Sequence, residues 1–309
     1  MEEIKKLIKE YSTFCVVSHY NPDADAYGST LALGLAIEST GKVVHFLNQD
    51  GMIPKFIFLP SASKVVSTPP PEVDCIFILD CGDEKRTGDN LKLPKAKLRI
   101  NIDHHISNNK FGDIALVDTK ASSTCEIVFS VIEDLISPDV ATNLLAGIYA
   151  DTGSLRYGNT SKKTLLIVSK LLEAGADLTL ISKKLFGAHT FSSVKLQAMA
   201  LSAMRIENGV AWVVVTKEML ELSKAISEDA DGLAEKGRDI EGVRIAASVR
   251  FSPEENLWRI SLRTHDPDID LSSVAAEFGG GGHKAAAAFR WRKSYQELEN
   301  KLLSKLKTL

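Results

Sequence analysis

The segment FCVVSHYNPDADAYGS, residues 14–29, determines the fold of the first half of this chain. Its first part, Phe14–Ser18, is a short apolar run, and such a run bounded by turn formers predicts a buried strand. Asn21-Pro22 is a turn signal, and a helical pattern runs from about Tyr27 to Ser39. The segment is therefore typical of a strand that enters a helix through a short polar loop.

Further short apolar runs continue this alternation of strands and helices. They lie at Val43–Leu47, Cys75–Leu79 and Leu98–Ile102. Ser137-Pro138 predicts the start of a helix that continues to about Asp151, and another helix is predicted from about Ser161 to Ala174. β-Branched runs joined through helices favour a parallel sheet. The predicted fold class is α/β, with an N-terminal parallel-sheet domain that carries helices on both faces.

The second half of the chain has the pattern of hairpins. Asn208-Gly209 favours a type I′ turn between Met204–Glu207 and Val210–Thr216. A second hairpin is predicted from Val243–Phe251 and Leu257–Thr264. Helices are predicted near Ser272–Phe278 and from about Ser294. These elements predict a smaller α+β C-terminal domain with a mixed sheet.

Length and composition set the broad limits. A chain of 309 residues suits about two domains, which we predict at 1–185 and 204–309 with a partly helical connector at 186–203. The net charge of −3 gives no basic field for long nucleic acid. Four cysteines without a C-x-x-C pair fit buried thiols in a reducing cytoplasm. The charged N-terminus and the absence of an apolar run of about 18 residues favour a cytoplasmic location and no membrane partner.

Oxygen and imidazole side chains follow the predicted strands at the points where they end. His19, Asp23 and Asp25 follow the first strand, Asp80 follows the third, and Asp103-His104-His105 follows the fourth. Asp151 ends a predicted helix. Ligands of open α/β sheets bind outside the carboxyl ends of the strands. The sequence therefore predicts that these side chains converge at one edge of the sheet.

Taken singly, these residues have ordinary explanations. An aspartate in a strand-to-helix loop is most often an N-cap or a turn former, and adjacent histidines are common on surfaces. Their combined occurrence favours a metal site, and hard oxygen donors with imidazole and no thiolate favour Mn²⁺ or Mg²⁺ over structural zinc. Asp23, Asp25, Asp80 and Asp151 together carry −4, which balances two divalent ions. We expect two ions about 3.5–4 Å apart that act on a phosphoryl group, with Asp80 as the bridging carboxylate.

Two residues next to these expected ligands are predicted to act in other ways. His105 could donate a proton to a phosphoryl oxygen or to the leaving group, although a structural role is the alternative. Asp103 is expected to orient a histidine and not to bind metal. Asp80 and His105 are therefore the predicted catalytic residues.

The quoted residues resemble the DHH phosphoesterase superfamily, which is named for the triad found here as Asp103-His104-His105. The matching motifs are HYNPDADAYGS, ILDCGD, NIDHH and GIYADTG, and FGGGGHKAAAAF resembles the signature of the DHH-associated C-terminal domain. The matches extend from about Cys15 to Phe289. Length and spacing are most similar to the bacterial bifunctional enzymes that degrade nanoRNA and remove the 3′-phosphate of 3′-phosphoadenosine 5′-phosphate (pAp).

The resemblance implies a specific set of metal ligands. His19 and Asp23 would hold one Mn²⁺, while Asp25, His104 and Asp151 would hold the other, with Asp80 between them; Mg²⁺ or Co²⁺ are the alternative ions. This chain has Ala288 where the family commonly has glycine. The backbone near a bound nucleotide is therefore expected to lie slightly differently.

The second domain is expected to bind substrate. Gly279–Gly282 could expose backbone N–H groups to an anion, and Arg263 could bind a phosphate through two hydrogen bonds. The predicted substrate-binding residues are Arg263, Gly280, Gly281, Gly282, His283 and Lys284. A flexible turn is the plain alternative for the glycines. We expect the first domain to cleave and the second to hold the other end of the substrate.

Several activities remain open from sequence alone. The first is hydrolysis of short oligoribonucleotides and pAp, with small nucleotides and very short single-stranded RNA as partners and no long duplex. The alternatives are a phosphodiesterase for linear or cyclic dinucleotides, a single-strand exonuclease, an inorganic pyrophosphatase or polyphosphatase, and a metal-stabilised nucleotide sensor without turnover. The sequence also leaves a homodimer open.

Overall fold

The computed structural model describes residues 1–187 and 189–309 and divides the chain into two compact units. The first unit ends at Ala188 and the second spans His189–Leu309. Each unit has its own buried apolar core. Among the described residues, no helix is both long and apolar enough to cross a membrane.

The first unit contains a six-stranded sheet in which every pair of neighbouring strands is parallel. Its strands are β1 (Thr13–Ser18), β2 (Val43–Leu47), β3 (Val65–Val66), β4 (Glu72–Leu79), β5 (Lys95–Asp103) and β6 (Ile114–Val117). The order across the sheet is β3-β2-β1-β4-β5-β6. The parallel sheet expected from the alternating strands and helices is confirmed.

Six α-helices accompany this sheet in the part of the unit that the structure describes. They are α1 (Glu2–Glu10), α2 (Ala24–Glu38), α3 (Thr124–Ile132), α4 (Pro138–Asp151), α5 (Lys162–Glu173) and α6 (Leu178–Ser182). The N-termini of α2 to α6 are fixed by side chains that accept hydrogen bonds from otherwise unpaired N–H groups. Ser137 caps α4 with Pro138 in its first turn, and Ser161 forms a capping box with Thr164 at the start of α5.

The helices cover one face of the sheet, which differs from the expected helices on both faces. All six bury side chains in one core, with Ile4, Leu31 and Val128 as examples. The core on the opposite face is built from strand residues such as Val17 and from the loops around them. Right-handed crossovers place the connection from β4 to β5 on that opposite face. This connection, residues 80–94, must run back along the eight residues of β4, a distance of roughly 26 Å. If all residues of the connection formed one α-helix, that helix would be roughly 22 Å long, so the connection is too short to contain a covering helix.

The direction of the crossovers reverses between β1 and β4, which lie side by side. From β1 the chain proceeds to β2 on one side, and from β4 it proceeds to β5 on the other. The crevice beyond the carboxyl ends of two such strands is where open α/β sheets bind ligands. In the register of the sheet, Ser18 lies beside Leu79, and Leu79 lies beside Ile102. The residues that follow these three positions therefore lie side by side at the carboxyl edge of the sheet.

The second unit contains a mixed six-stranded sheet in the order β11-β12-β10-β9-β8-β7. Its strands are β7 (Arg205–Glu207), β8 (Val210–Val215), β9 (Ile245–Ser252), β10 (Leu257–Thr264), β11 (Gly281–His283) and β12 (Ala286–Trp291). Only β8 and β9 pair in parallel. Its helices are α7 (Phe191–Ser202), α8 (Lys217–Ser223), α9 (Leu233–Arg238), α10 (Leu271–Glu277) and α11 (Tyr295–Leu306). Both predicted hairpins, β7–β8 and β9–β10, are present.

Helix α7 lies in the stretch 186–203 that the sequence suggests as a connector, and it is packed into the second unit. Its Leu196 and Ala200 are fully buried in a cluster with Val213, Val215 and Leu233. This cluster covers the face of the sheet opposite to α10 and α11, which contribute to the larger core. Folding of the second unit should therefore depend on α7.

A fragment of residues 189–309 should unfold in one cooperative transition, because it retains both of its cores. A fragment of residues 204–309 lacks α7 and exposes Val213 and Val215, so it should unfold at a clearly lower urea concentration or fail to fold. Circular dichroism during urea unfolding would measure both transitions. Equal midpoints for the two fragments would contradict the assignment of α7 to this unit.

Candidate metal centre

The predicted ligand residues of the first unit lie together at the carboxyl edge of the parallel sheet. His19 directly follows β1, Asp80 directly follows β4, and His104 directly follows β5. Asp80 has a left-handed backbone with φ of 56°, a conformation that aspartate tolerates better than most residues. Its N–H donates to the carbonyl of Ile102 at 3.0 Å, so the turn out of the sheet is fixed by the neighbouring strand.

The first cluster consists of His19, Asp23 and Asp80. The Nε2 of His19 is 3.4 Å from Oδ2 of Asp80 and 4.0 Å from Oδ2 of Asp23. The Nδ1 of His19 lies 2.9 Å from the carbonyl oxygen of Tyr20. A carbonyl can only accept, so Nδ1 carries a proton and Nε2 is the ring nitrogen that faces the carboxylates.

Asp23 performs two tasks with its two oxygens. Its Oδ1 accepts hydrogen bonds from the N–H groups of Asp25 and Ala26, both at 2.9 Å, and so caps helix α2. Its Oδ2 points toward His19. The ordinary capping role and the position beside a ligand histidine therefore occur in the same residue.

The second cluster consists of Asp25, His104 and Asp151. The Nε2 of His104 is 3.4 Å from Oδ2 of Asp151 and 3.6 Å from Oδ1 of Asp80. Asp80 thus faces the first cluster with Oδ2 and the second with Oδ1. It occupies the shared position between two groups of candidate ligands.

The distances within both clusters exceed those of direct hydrogen bonds. Nitrogen-to-oxygen hydrogen bonds are about 2.7–3.2 Å long, whereas the histidine and aspartate atoms of the clusters are 3.4–4.0 Å apart. Two ligand atoms that each lie about 2.1 Å from one cation are separated by roughly 3.0–3.5 Å in octahedral or tetrahedral geometry. The two separations of 3.4 Å, from His19 to Asp80 and from His104 to Asp151, therefore fit atoms that share a cation. Asp23, at 4.0 Å from His19, would have to move closer to share one.

The N-terminus of helix α3 holds the carboxylate of Asp25. The N–H of Thr124 donates to Oδ2 at 2.7 Å, and the N–H of Cys125 donates to Oδ1 at 2.9 Å. Both N–H groups belong to the first turn of the helix, where they lack helical partners and the helix dipole favours negative charge. Asp25 is fully buried, so its orientation is fixed by these bonds.

Close packing of α2 against α4 brings Asp25 near Asp151. A Cβ added to Gly28 would lie 2.5 Å from the carbonyl oxygen of Asn143, and one added to Gly147 would lie 2.7 Å from Oδ1 of Asp25. Contacts this short cannot be accommodated without movement. Gly147 also lies one turn before Asp151 on the same face of α4.

Asp103 binds a histidine and a loop, and it belongs to none of the three metal-ligand groupings found among the described residues. It accepts from the N–H of His104 at 2.9 Å, from Nδ1 of His105 at 2.7 Å and from Nδ2 of Asn108 at 2.6 Å. Because a carboxylate only accepts, Nδ1 of His105 carries a proton. The geometry agrees with an orienting role for Asp103. His105 itself lies 3.6 Å from Asp80.

The electrostatics of the centre show an excess of negative charge. Burial, together with the nearby Asp80 and Asp23, raises the pKa of Asp25, and burial with the neighbouring carboxylates raises that of Asp151 as well. Burial lowers the pKa of His19, but its contact with Asp80 and the charge of Asp23 outweigh this and raise the pKa to about 9.

The pKa of Asp80 moves in the opposite direction from those of the other buried carboxylates. Burial would raise it, yet His19, His105 and His104 together lower it. The environment therefore favours the ionised form of Asp80 and the protonated forms of Asp25 and Asp151.

These residues fit divalent cations. Buried carboxylates that repel one another and attract protons are those that a cation would stabilise, since a cation replaces the protons. The donors are carboxylate oxygens and imidazole nitrogens, which suit Mn²⁺ or Mg²⁺. The centre is a candidate site for divalent cations.

Sequence reasoning missed Thr124, Asn108 and helix α3 itself. Thr124 holds Asp25 through its N–H and also donates its hydroxyl to Asp80 at 3.0 Å. The local signal for α3 was Ser123-Thr124-Cys125-Glu126, which matches the S-x-x-E spacing of an N-terminal capping pattern. In the structure Ser123 caps α3 by accepting from the N–H of Glu126.

The predicted substrate-binding residues lie in the second unit. Arg263 is on β10, and its Nε donates to Glu235 of helix α9 at 2.7 Å. In the register of the sheet, Arg263 lies beside Ala286, which lies beside His283. Arg263 and His283 therefore belong to the same row of residues across three strands. Lys284 follows in the exposed turn between β11 and β12.

The expectation that all four glycines expose N–H groups to an anion is corrected by the structure. The N–H of Gly279 donates to Ala276 and that of Gly280 to Ala275, the pattern that ends helix α10 in a Schellman motif. A Cβ on Gly280 or Gly282 would lie within 2.6 Å of backbone atoms of β12. Close strand packing and helix termination explain these glycines. Gly281 is exposed, and no described atom lies within 4 Å of its Cβ position.

Comparisons with known proteins match both units. The family model described as "DHH family, N-terminal domain" matches residues 13–148, and the model described as "DHHA1 domain" matches residues 214–309. The first match covers the motifs that carry His19, Asp80 and His104. The second covers Arg263 and the glycine-rich segment.

Similar proteins are known over nearly the full length. A protein of Streptococcus mutans named "Probable bifunctional oligoribonuclease and PAP phosphatase NrnA" is 30% identical over 98% of this chain and 96% of its own length. A protein of Thermus thermophilus named "Bifunctional oligoribonuclease and PAP phosphatase NrnA" is 31% identical over 88% of this chain and 82% of its own. A solved structure of an exopolyphosphatase-related protein from Bacteroides fragilis has a TM-score of 0.90 and 26% identity, covering 99% of this chain and 96% of that chain.

Gly147→Ala should weaken Mn²⁺ binding roughly tenfold or more, because its methyl group would displace the carboxylate of Asp25. Titration calorimetry would measure the affinity. Gly158→Ala is the matched control, since no described atom lies within 4 Å of its Cβ position. Unchanged Mn²⁺ affinity in folded Gly147→Ala protein would contradict the proposed role of Asp25.

Proposed function

The chain belongs to the DHH family, and we propose that it is a metal-dependent phosphoesterase that hydrolyses short oligoribonucleotides and pAp. The observation that carries the proposal is the pair of adjacent ligand clusters, in which Asp80 of the first also lies 3.6 Å from His104 of the second. The names of the full-length relatives support the choice of substrates. The proposed partners are therefore small nucleotides and very short single-stranded RNA.

Two Mn²⁺ ions are the proposed cofactors. We assign His19 and Asp23 to one ion and Asp25, His104 and Asp151 to the other, with Asp80 as a ligand of both. When bound, such ions supply Lewis-acid stabilisation of the phosphoryl oxygens and lower the pKa of water into the neutral range. The residues of the chain supply the position of these ions and a water-poor surrounding, because Asp25 and Asp80 are buried.

His105 is the proposed proton donor to the phosphoryl group or to the leaving oxygen. Its Nδ1 proton is held by Asp103 at 2.7 Å, so Nε2 is the ring atom through which a proton would be delivered. Burial lowers the pKa of His105, but the contact with Asp103 and the charges of Asp80 and Asp103 outweigh it and raise the pKa. The raised pKa of His105 favours the protonated imidazole that a proton donor requires.

The second unit is proposed to bind the rest of the substrate through Arg263, Gly281, Gly282, His283 and Lys284. Arg263 is paired with Glu235 in the structure. Binding of a phosphate would have to exchange this contact or use the other edge of the guanidinium. The small side chain of Ala286 between Arg263 and His283 leaves room for a ligand across the row.

We place the activity in the cytoplasm as part of the proposal. The four cysteines, Cys15, Cys75, Cys81 and Cys125, are all unpaired and buried. Unpaired thiols are typical of reducing compartments.

Purified protein with Mn²⁺ should release mononucleotides from RNA of two to five nucleotides and inorganic phosphate from pAp. A cyclic dinucleotide and pyrophosphate, offered in parallel, would test the alternatives, with products followed by chromatography and phosphate release. We expect removal of divalent ions with EDTA to abolish turnover and Mn²⁺ to restore it. If the protein cleaved only pyrophosphate, or only the cyclic dinucleotide, the proposal that short RNA and pAp are its substrates would be wrong.

Asp80→Asn is the matched inactive variant for this panel. It keeps the shape of the side chain but removes the charge that both proposed ions share, so kcat should fall by at least about 10³-fold. Near-normal kcat in this variant would refute the shared position of Asp80.

Arg263→Ala should raise KM for pAp by roughly tenfold or more with a smaller change in kcat, because Arg263 is proposed to bind and not to react. Arg290→Ala, an exposed arginine on β12, is the control and should leave both constants near wild type. Steady-state kinetics would measure both. A large fall in kcat at unchanged KM would instead mean that Arg263 acts in the transition state.

A further inference from the structure

Thr124 contacts two of the proposed ligand carboxylates that come from different parts of the chain. Its N–H donates to Oδ2 of Asp25 at 2.7 Å, and its hydroxyl donates to Oδ1 of Asp80 at 3.0 Å. Thr124 has no exposed surface. One residue therefore connects a carboxylate proposed for the second ion with the carboxylate proposed for both.

We infer that Thr124 is a positioning residue that sets the spacing between the two proposed cation positions. The inference rests on the proposed function and extends it to a residue outside the motif ligands. Asp25 approaches the centre from helix α2, and Asp80 approaches from the end of β4. A fixed donor pair between them holds the two carboxylates at a constant separation.

The hydroxyl of Thr124 also orients the carboxylate of Asp80 toward the two proposed cations. Oδ1 of Asp80 accepts from Thr124 and faces His104 at 3.6 Å, while Oδ2 faces His19 at 3.4 Å. With this hydrogen bond in place, the carboxylate cannot rotate freely about its bond to Cβ. Each oxygen is thus directed to one cluster.

Thr124 is itself held by a buried network that extends to helix α5. Glu126 is nearly fully buried, and its Oε2 accepts from the hydroxyl of Ser122 at 2.8 Å and from that of Thr164 at 2.7 Å. Lys163 lies 3.2 Å from its other oxygen. Since Ser122 precedes Thr124 by two residues, this network fixes the entry into helix α3.

The loop before helix α3 is also connected to the backbone of Asp151, the third acidic residue of the centre. Nδ2 of Asn159 donates to the carbonyl of Ser122 at 3.0 Å and to the carbonyl of Asp151 at 3.1 Å. The stretch 122–125 therefore contacts Asp25 and Asp80 directly and is connected to the backbone of Asp151 through Asn159. It is a common frame for carboxylates that lie far apart in the sequence.

Thr124→Val should weaken Mn²⁺ binding roughly 10- to 100-fold, because it keeps the shape and the backbone N–H but removes the hydroxyl bond to Asp80. Thr124→Ser restores the hydroxyl and should bind within about threefold of wild type. Thr124→Ala, which also lacks the hydroxyl, serves if the valine variant does not fold. Titration calorimetry of the full chain with Mn²⁺ measures affinity and stoichiometry, and circular dichroism without metal verifies folding.

Thr30→Val is the matched control, since Thr30 is equally buried on helix α2 and its hydroxyl has no hydrogen-bond partner among the described residues. It should bind Mn²⁺ like wild type. Wild-type affinity in folded Thr124→Val or Thr124→Ala protein would overturn the inference, as would a serine variant as weak as the valine variant. The titration needs no substrate. If Mn²⁺ binding follows the prediction while pAp and short RNA are not cleaved, the proposed function fails and the inference stands.

Discussion

The first unit is organised around the repulsion between three carboxylates that it brings together. Ligand oxygens of Asp25 and Asp151 lie within 4.8 Å of each other and of a shared histidine, and Asp80 is adjacent. Two ionised carboxylates at that distance repel by about 3 kcal/mol at an effective dielectric constant near 20. Several such pairs would consume much of the 5–15 kcal/mol that stabilises an ordinary domain. A fold that keeps them together must compensate the charge, and divalent cations are the compensation that the donor set fits.

The rest of the unit can be understood as the means of holding these groups. Parallel strands deliver His19, Asp80 and His104 to one edge, because their registers align Ser18 with Leu79 and Leu79 with Ile102. Gly28 and Gly147 let α2 approach α4 so closely that no other residue would fit without displacement. The N-terminus of α3 contributes oriented N–H groups that favour a carboxylate before any cation binds. The second unit has separate cores and presents a row that contains Arg263 and His283.

Much of this centre could be predicted from sequence, because its ligands directly follow apolar runs that form strands. The parallel sheet and the mixed sheet followed from hydrophobic pattern and turn signals. The placement of the helices on one face of the parallel sheet did not follow from these signals. It depends on the length of the connection 80–94 and on the handedness of the crossovers. The glycine pattern suggested free N–H groups at Gly279 and Gly280. In the structure the last carbonyl groups of α10 accept from both, so these N–H groups are already used. Thr124 was missed because nothing local indicates that the start of a helix meets Asp25, about a hundred positions earlier.

Anomalous diffraction from crystals grown with Mn²⁺ tests the central claim most directly. The account predicts two peaks, each roughly 2.0–2.3 Å from its ligand atoms. One peak should lie among His19, Asp23 and Asp80, and the other among Asp25, His104 and Asp151, with Asp80 in contact with both. A single peak, or two peaks that do not share Asp80, would contradict the account.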